Sequence, residues 1–243
     1  MIRATRPVLP QDLAQYLNMR TRTINASDEA ERAGRAKALW QAFGGNRKTQ
    51  LQQTLGAMAP GLRRCMYCED SLGTDIEHFE PRERAPSRTF DWSNHLWACS
   101  YCNSNAKRTQ YPVDAQGAPL LLDPTVDDPR EHLRFTPTTG AFVSSGPKGE
   151  PSIEVFGLNR FERERGRFDA WTVMSELMVR YHQLHATGKT DRSARILVAL
   201  KRSPFQAVRL YLIDLARRND PESLLGEDVL NAIRACPELL HAY

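Results

Sequence analysis

The sequence predicts an α+β protein in which a compact zinc-stapled module separates two helical regions. Three observations carry this prediction: four of the five cysteines form two CxxC pairs, a short β-like run follows the first pair, and apolar residues recur at helical spacing. They divide the chain into a helical region at 1–60, a core with structural zinc at 61–125, an irregular or β-hairpin connection at 126–158, and a helical region at 159–243.

The first sixty residues are predicted to form three helices. Pro10 fits the start of a helix through QDLAQYLNMRTRTIN, because proline is tolerated in a first helical turn. Ser27 is the predicted N-cap of a second helix, which would end at the glycine pair that begins with Gly44. A third short helix, RKTQLQQTLGAM, would end near Pro60.

The C-terminal half is predicted to contain a hairpin followed by more helix. The stretch HLRFTPTTGAFVSS indicates two strands around a Thr-Thr-Gly turn. Aromatic and methionine residues then recur at helical spacing up to Gly188, and we interpret this stripe as core. Ser203 and Pro204 are predicted to open a further helix, and ESLLGEDVLNAIRAC a final one.

The composition indicates a soluble chain that is long enough to bury a core. Its 243 residues are 41% hydrophobic, and no apolar run reaches the roughly 18 residues that a membrane span needs. The stretch MIRATRPVLPQDL lacks the apolar segment of a signal peptide, so we expect a cytoplasmic protein. The net charge of +4 permits nucleic acid as a partner without requiring it.

The strongest signal is the set of paired cysteines, Cys65, Cys68, Cys99 and Cys102. Each CxxC turn directs two thiolates toward one ion, and two such turns close a tetrahedral zinc site with no open position. The zinc would therefore be structural. Chance pairing of buried thiols and a redox dithiol are the alternatives, and neither explains both pairs at once. Cys236 is expected to be an ordinary helix residue.

The segment between and after the cysteine pairs carries polar residues suited to phosphodiester hydrolysis. Glu77 and His78 lie in a β-like run, Asn94 lies midway, Asn103 follows the last cysteine, and Lys107 is one helical turn later. Carboxylate and amide oxygens suit Mg²⁺, and a neutral histidine can take a proton from an attacking water. Lys107 could clamp the phosphate.

These residues resemble the HNH endonuclease family, in the subgroup with a four-cysteine structural zinc. The motifs CMYCE, IEHFEP, WSN and ACSYCN carry the resemblance. His78 stands at the first H, Asn94 at the N, and Asn103 replaces the final H, a common variant in the family. The resemblance implies a zinc-stapled ββα-metal HNH core flanked by N- and C-terminal α-helical segments.

The resemblance also implies a role for each site residue. His78 would be the general base, and Glu77 and Asn103 would hold the catalytic Mg²⁺ or Mn²⁺. Asn94 would support the loop that orients the histidine. Most family members have aspartate before the first histidine, where this chain has Glu77.

Flanking stretches extend the resemblance to roughly residues 61–170. LLLDPTVDDPREHLRF and VFGLNRFERERGRF resemble the HNH proteins of bacterial retrons and Septu-type anti-phage systems, where IEHF is the usual form. In those systems the nuclease acts with an ATPase partner. The likeness implies a defence effector that cleaves nucleic acid, with DNA favoured and RNA, including tRNA, left open.

Each candidate residue also has a purely structural interpretation. A histidine beside an acid is often a surface pair, and an asparagine after a cysteine turn can cap a helix. Lys107 and Arg108 could contact a phosphate or form a solvated helix face. Arg82, Arg84 and Arg88 could bind a nucleic-acid backbone or belong to a solvated loop with interleaved acids. His95 matches no family histidine and is left without a role.

Three hypotheses for the function follow. The first is a metal-dependent HNH endonuclease. The second is a zinc-containing module that binds nucleic acid without cutting it, and the third is a zinc-containing adaptor for an ATPase. The joint presence of Glu77, His78, Asn94 and Asn103 favours the nuclease.

Overall fold

The fold, a computed structural model that describes residues 1–218 and 222–240, is α+β with far more helix than strand. Three helices precede the cysteine-rich core. Their bounds are α1 (Gln11–Asn25), α2 (Glu29–Gln41) and α3 (Gly45–Met58). The three predicted helices are therefore present, although Asp28 rather than Ser27 takes the N-cap position of α2.

The core contains one short antiparallel hairpin. Strand β1 (Asp75–His78) pairs with β2 (His95–Ala98), so that His78 lies opposite His95. The helical segment that follows β2, Tyr101–Lys107, is a π-helix, in which the Arg108 amide donates to the Asn103 carbonyl at 2.8 Å. The wide turn of a π-helix is rare in proteins and often occurs at functional sites.

The connection that follows is only partly as predicted. Its hairpin is present as β3 (Leu133–Phe135) and β4 (Phe142–Ser144), paired antiparallel. The expectation of irregular chain up to residue 158 is wrong for 149–156, which forms α4 (Gly149–Phe156). Pro151 obscured this helix in the sequence, yet proline is tolerated in a first turn because its missing N–H has no helical acceptor there.

The C-terminal region is helical, as predicted, but its helices are more numerous than the sequence indicated. Their bounds are α5 (Phe161–Ala186), α6 (Thr190–Arg202), α7 (Gln206–Ala216), α8 (Glu222–Leu225) and α9 (Glu227–Ala235). Helix α7 begins after Phe205, not at Ser203, and Phe205 has φ 58°. Gly226, at φ 77°, separates α8 from α9, which were predicted as one helix.

The cysteine-rich core packs directly against the C-terminal helices. The Tyr67 ring, between the first two cysteines, stacks on Phe156 of α4 with centroids 3.9 Å apart. The Phe205 amide donates to the Glu69 carbonyl at 3.1 Å, and Arg163 forms an ion pair with Asp70. Within the described part of the chain, no helix has both the length and the apolarity needed to cross a membrane.

The stacking of Tyr67 on Phe156 predicts a measurable loss of stability. Phe156 is fully buried, so Phe156→Ala should lower the free energy of unfolding by about 3–5 kcal/mol in urea titrations at constant zinc. Phe161 is 73% exposed, and the matched variant Phe161→Ala should stay within about 0.5 kcal/mol of the wild type. Equal losses in both variants would contradict this packing.

Candidate functional site

Four cysteine thiols meet in the interior next to the β1–β2 hairpin. The sulfur atoms of Cys65, Cys68, Cys99 and Cys102 lie within 4.8 Å of one another, and all four side chains are buried. The Cys68 and Cys99 sulfurs are 3.9 Å apart, far longer than the roughly 2.05 Å of a disulfide. The predicted cluster of four thiols is confirmed.

The geometry of this cluster fits a zinc ion. Tetrahedral zinc with Zn–S bonds of about 2.3 Å places its sulfur ligands about 3.8 Å apart, close to the separation of Cys68 and Cys99. Burial raises the pKa of the Cys65 thiol well above its ordinary value, and a bound cation would favour the thiolate form of that group. The four ligands leave no position for substrate, which makes the site structural.

Backbone hydrogen bonds join the cysteine cluster to the hairpin. The Met66 amide donates to the Trp97 carbonyl at 2.8 Å, and the Thr74 amide donates to the Ala98 carbonyl at 2.9 Å. The first CxxC turn therefore lies along β2, and the second pair begins where β2 ends. As a result, the cluster fixes the start of the π-helix relative to β1.

His78, at the end of β1, is held by a backbone carbonyl. Its Nε2 lies 2.9 Å from the Thr89 carbonyl oxygen, and its ring is only 8% exposed. A carbonyl only accepts hydrogen bonds, so Nε2 carries the proton and Nδ1 keeps the lone pair. Burial, and then the neighbouring His95, lower the pKa of His78 well below its ordinary value, which keeps the ring neutral.

His95 shares that acceptor, and the sequence analysis missed it. Its Nε2 also lies 2.9 Å from the Thr89 carbonyl oxygen, and burial lowers its pKa to about 4. The two imidazole centroids are 5.0 Å apart in an edge-on arrangement. The position of His95 directly after Asn94 was the available signal, but its partner depends on the pairing of β1 with β2.

Asn94 ties together the loop between the strands. Its side-chain oxygen accepts from the Glu80 amide at 2.8 Å, and its amide group donates to the carbonyls of Glu80 at 3.0 Å and Arg88 at 3.2 Å. The side chain is fully buried. This arrangement holds both ends of the loop that supplies the Thr89 carbonyl. The supporting role that the resemblance implies for Asn94 stays a prediction.

The π-helix contacts β1 through two polar pairs. Residues 75 and 77 project from the same face of the strand because strand side chains alternate. The side-chain amide of Asn103 donates to the Asp75 carboxylate at 3.0 Å, and the Lys107 ammonium lies 2.8 Å from the Glu77 carboxylate. The resemblance implies one cation shared by Glu77 and Asn103, whereas these contacts join each of them to another residue. That shared ligation stays a prediction.

The Glu77–Lys107 pair is almost completely buried. Glu77 is 2% exposed and Lys107 is inaccessible, and the ammonium also donates to the His78 carbonyl at 3.0 Å. Burial raises the pKa of Glu77 to about 7, while the nearby ammonium acts in the opposite direction. The prediction that the Lys107 ammonium binds a phosphate does not fit this geometry, because the ammonium is inaccessible to solvent and is already bound by the Glu77 carboxylate.

The arginines after β1 differ in how much freedom they retain. Arg88 forms ion pairs with Glu80 at 2.8 Å and Asp91 at 3.0 Å, so its charge is used to hold the loop between β1 and β2 together. Arg84 lies 3.4 Å from Glu80 and over the Tyr111 ring. Arg82 lies over the ring of Trp40, and Arg108 is exposed at the end of the π-helix. Of the predicted nucleic-acid contacts, Arg82 and Arg108 are the most available.

Trp40 of α2 covers the histidine from the N-terminal side. Its ring centroid is 4.4 Å from that of His78 in an edge-on contact, and 5.4 Å from that of Phe90. The sequence analysis assigned Trp40 no role, because nothing near it in the sequence connects it with a motif 38 positions later. Only the packing of α2 on the loop after β1 brings the two together.

Comparison with known proteins finds similarity over part of the chain, while no protein-family model matches it. A Septu protein PtuB from Bacillus mycoides (strain KBAB4) is 33% identical over 129 residues, covering 41% of this chain and 44% of that protein. A Septu protein PtuB from Bacillus thuringiensis is 30% identical over 105 residues, covering 41% of this chain and 38% of that protein. The chain thus spans less than half the length of these curated relatives.

The cysteine cluster predicts one zinc ion per chain. Cys68→Ser should lose the zinc and the cooperative thermal unfolding transition, because structural zinc contributes on the order of 10 kcal/mol to folding. Cys236 is a buried cysteine outside the cluster, so Cys236→Ser should retain one zinc per chain. Elemental analysis and calorimetry measure both quantities. An unchanged zinc content in Cys68→Ser would rule out the assigned ligand set.

Proposed function

We propose that this chain is a metal-dependent HNH endonuclease that hydrolyses phosphodiester bonds of nucleic acid, with DNA the favoured substrate. The observation that carries the proposal is the fixed orientation of His78, whose Nε2 is bound by the Thr89 carbonyl beside a π-helix anchored by four thiols. Asn94, which braces the loop, and Asn103, which faces β1, are the other supporting features.

In the proposed reaction His78 is the general base. Its Nδ1 lone pair would accept the proton of the attacking water, since Nε2 is committed to Thr89. The lowered pKa keeps the ring unprotonated and ready to accept at neutral pH. His95 and Asn94 would preserve this geometry, His95 by sharing the carbonyl and Asn94 by holding the loop.

Mg²⁺ or Mn²⁺ is the cofactor in this proposal, and the oxygen atoms that face the π-helix fit such a hard cation. Asn103 lies beside the half-buried Asp75, and both line an open groove. Glu77, the ligand implied by the resemblance, could contribute only if the Lys107 ammonium moved off its carboxylate. When bound, the cation would stabilise the charge that develops on the phosphate.

A role in anti-phage defence with an ATPase partner is the second part of the proposal. It is supported by the similarity to two relatives named Septu protein PtuB, and by the flanking stretches that resemble Septu and retron HNH proteins. The matched region is less than half of each relative, so the defence role and the ATPase partner are proposals for this chain.

A non-catalytic zinc-containing module that binds nucleic acid, or an adaptor for an ATPase, is the second candidate function. The burial of the polar residues favours it: His78 is 8% exposed, and Glu77 and Lys107 neutralise each other in the interior. A β1–β2 hairpin with no catalytic role could bury His78 and pair Glu77 with Lys107 in the same way. Activity measurements separate the two functions.

A cleavage assay tests the nuclease proposal. Wild-type protein with Mg²⁺ or Mn²⁺ should cut supercoiled plasmid or tRNA, and His78→Ala should lower the rate by at least about 100-fold because the general base is lost. His182→Ala, on α5, is the matched control and should retain full activity. If neither the chain alone nor the chain with a co-purified ATPase cuts, the non-catalytic function replaces the nuclease.

The metal requirement tests the role of Asn103. Asn103→Ala should raise the Mg²⁺ concentration for half-maximal cleavage by about tenfold or abolish cleavage, because an oxygen ligand is lost. Asn105 lies in the same π-helix and is exposed, so Asn105→Ala should leave the titration unchanged. Coinciding titrations for the two variants would remove Asn103 from the metal site.

A further inference from the structure

Two grooves next to the candidate active site share Trp40 as a lining residue. The first, of about 410 Å³, lies between α2 and the loop after β1, where Lys37, Gln41 and Arg82 line it. The second, of about 230 Å³, lies between α3 and the start of β1. Its polar lining consists of Lys48, Gln52, Thr74, Asp75 and Asn103.

Trp40 lines both grooves and also covers the histidine. Its side chain contributes to the walls of both grooves, and its ring packs edge-on against His78 with centroids 4.4 Å apart. An extended chain that occupies both grooves would therefore contact Trp40, whose ring packs against His78. It would meet Asn103 as it enters the second groove.

The cations that line the grooves are available to a ligand. In the described part of the chain, Lys37, Lys48 and Arg82 have no carboxylate within ion-pair distance, whereas Arg88 and Lys107 are already paired. The two acids in the walls are Glu83 and Asp75, and Asp75 accepts hydrogen bonds from Asn103 and Thr74.

The groove chemistry favours a phosphodiester backbone over an apolar peptide. Apart from Trp40 and Ile76, the side chains in the walls are polar, charged or small. Lysine ammonium groups provide point charges for phosphate, and glutamine and asparagine side chains can donate to phosphate oxygens. The walls offer no set of apolar pockets of the kind that anchors a peptide.

We propose that the two grooves form one nucleic-acid track, in which Lys37 and Lys48 contact phosphates on opposite sides of Trp40. The phosphodiester between these contacts would then lie beside Trp40 and Asn103, next to the ring that packs on His78. This inference rests on the proposed function and adds to it the surface that positions the strand. It assigns the N-terminal helices α2 and α3 to substrate binding, together with Arg82 of the loop.

Salt-dependent binding tests the track without requiring cleavage. Zinc-loaded full-length protein is titrated against fluorescent duplex DNA, single-stranded DNA and single-stranded RNA, without added Mg²⁺ or Mn²⁺. The slope of log K against log salt is negative, and each lost phosphate contact makes it less steep by about 0.9 for duplex DNA and about 0.7 for single strands. Lys37→Gln/Lys48→Gln should therefore reduce the magnitude of the slope by about 1.8 on duplex DNA, or by about 1.4 on a single strand.

Matched variants distinguish the track from general charge effects. Lys189→Gln removes one exposed positive charge between α5 and α6 and should leave the slope unchanged, and Lys37→Arg/Lys48→Arg should bind as the wild type does. The nucleic acid that the wild type binds most tightly at one common salt concentration identifies the preferred substrate. Zinc content and thermal melting of each variant verify that the fold is intact.

Three different results would overturn the inference. If the wild type binds and Lys37→Gln/Lys48→Gln keeps its slope, the track is wrong while the proposed nuclease function stands. If the wild type binds none of the three nucleic acids, either alone or with the co-purified ATPase, the proposed function fails together with the track. If only one of the single variants Lys37→Gln and Lys48→Gln changes the slope, a track that runs on both sides of Trp40 is rejected.

Discussion

The four-thiol cluster is the constraint on which the rest of the candidate site depends. The hairpin beside it has only four residues in each strand, and a two-stranded hairpin of that size has marginal stability in water. The cluster joins Cys68 to Cys99, which are 31 positions apart, and so fixes both ends of the hairpin segment. Within the segment between these ends, the Asn94 side chain forms three hydrogen bonds, which pair the backbone amide and carbonyl of Glu80 and the carbonyl of Arg88.

Burial determines the chemistry of the polar residues that the cluster brings together. Removal from water favours the neutral form of His78, and a carbonyl partner selects which nitrogen keeps the lone pair. The same burial would be costly for Glu77 and Lys107 individually, and their 2.8 Å contact offsets part of that cost, since the pKa of Glu77 is still raised. One environment thus gives a neutral histidine beside a paired, inaccessible carboxylate, which explains why adjacent residues on one strand behave so differently.

The helices on either side contribute more than support. Helix α2 supplies Trp40, which shields His78, and α4 supplies Phe156, which stacks on the first CxxC turn. The similarity to the Septu proteins covers 41% of the chain. The grooves that Trp40 lines are formed partly by α2 and α3.

The sequence by itself determined the elements whose signals are local. Two CxxC pairs predicted the thiol cluster, and apolar periodicity predicted the helices, because ligand spacing and helical repeat act over a few residues. Packing between distant segments decided the rest: the π-helical register that sets Asn103 against Asp75, the inward turn of Lys107, the shared carbonyl of His78 and His95, and the position of Trp40. These contacts join residues up to 38 positions apart, and their geometry depends on how strand, loop and helix fit together, which no local pattern encodes.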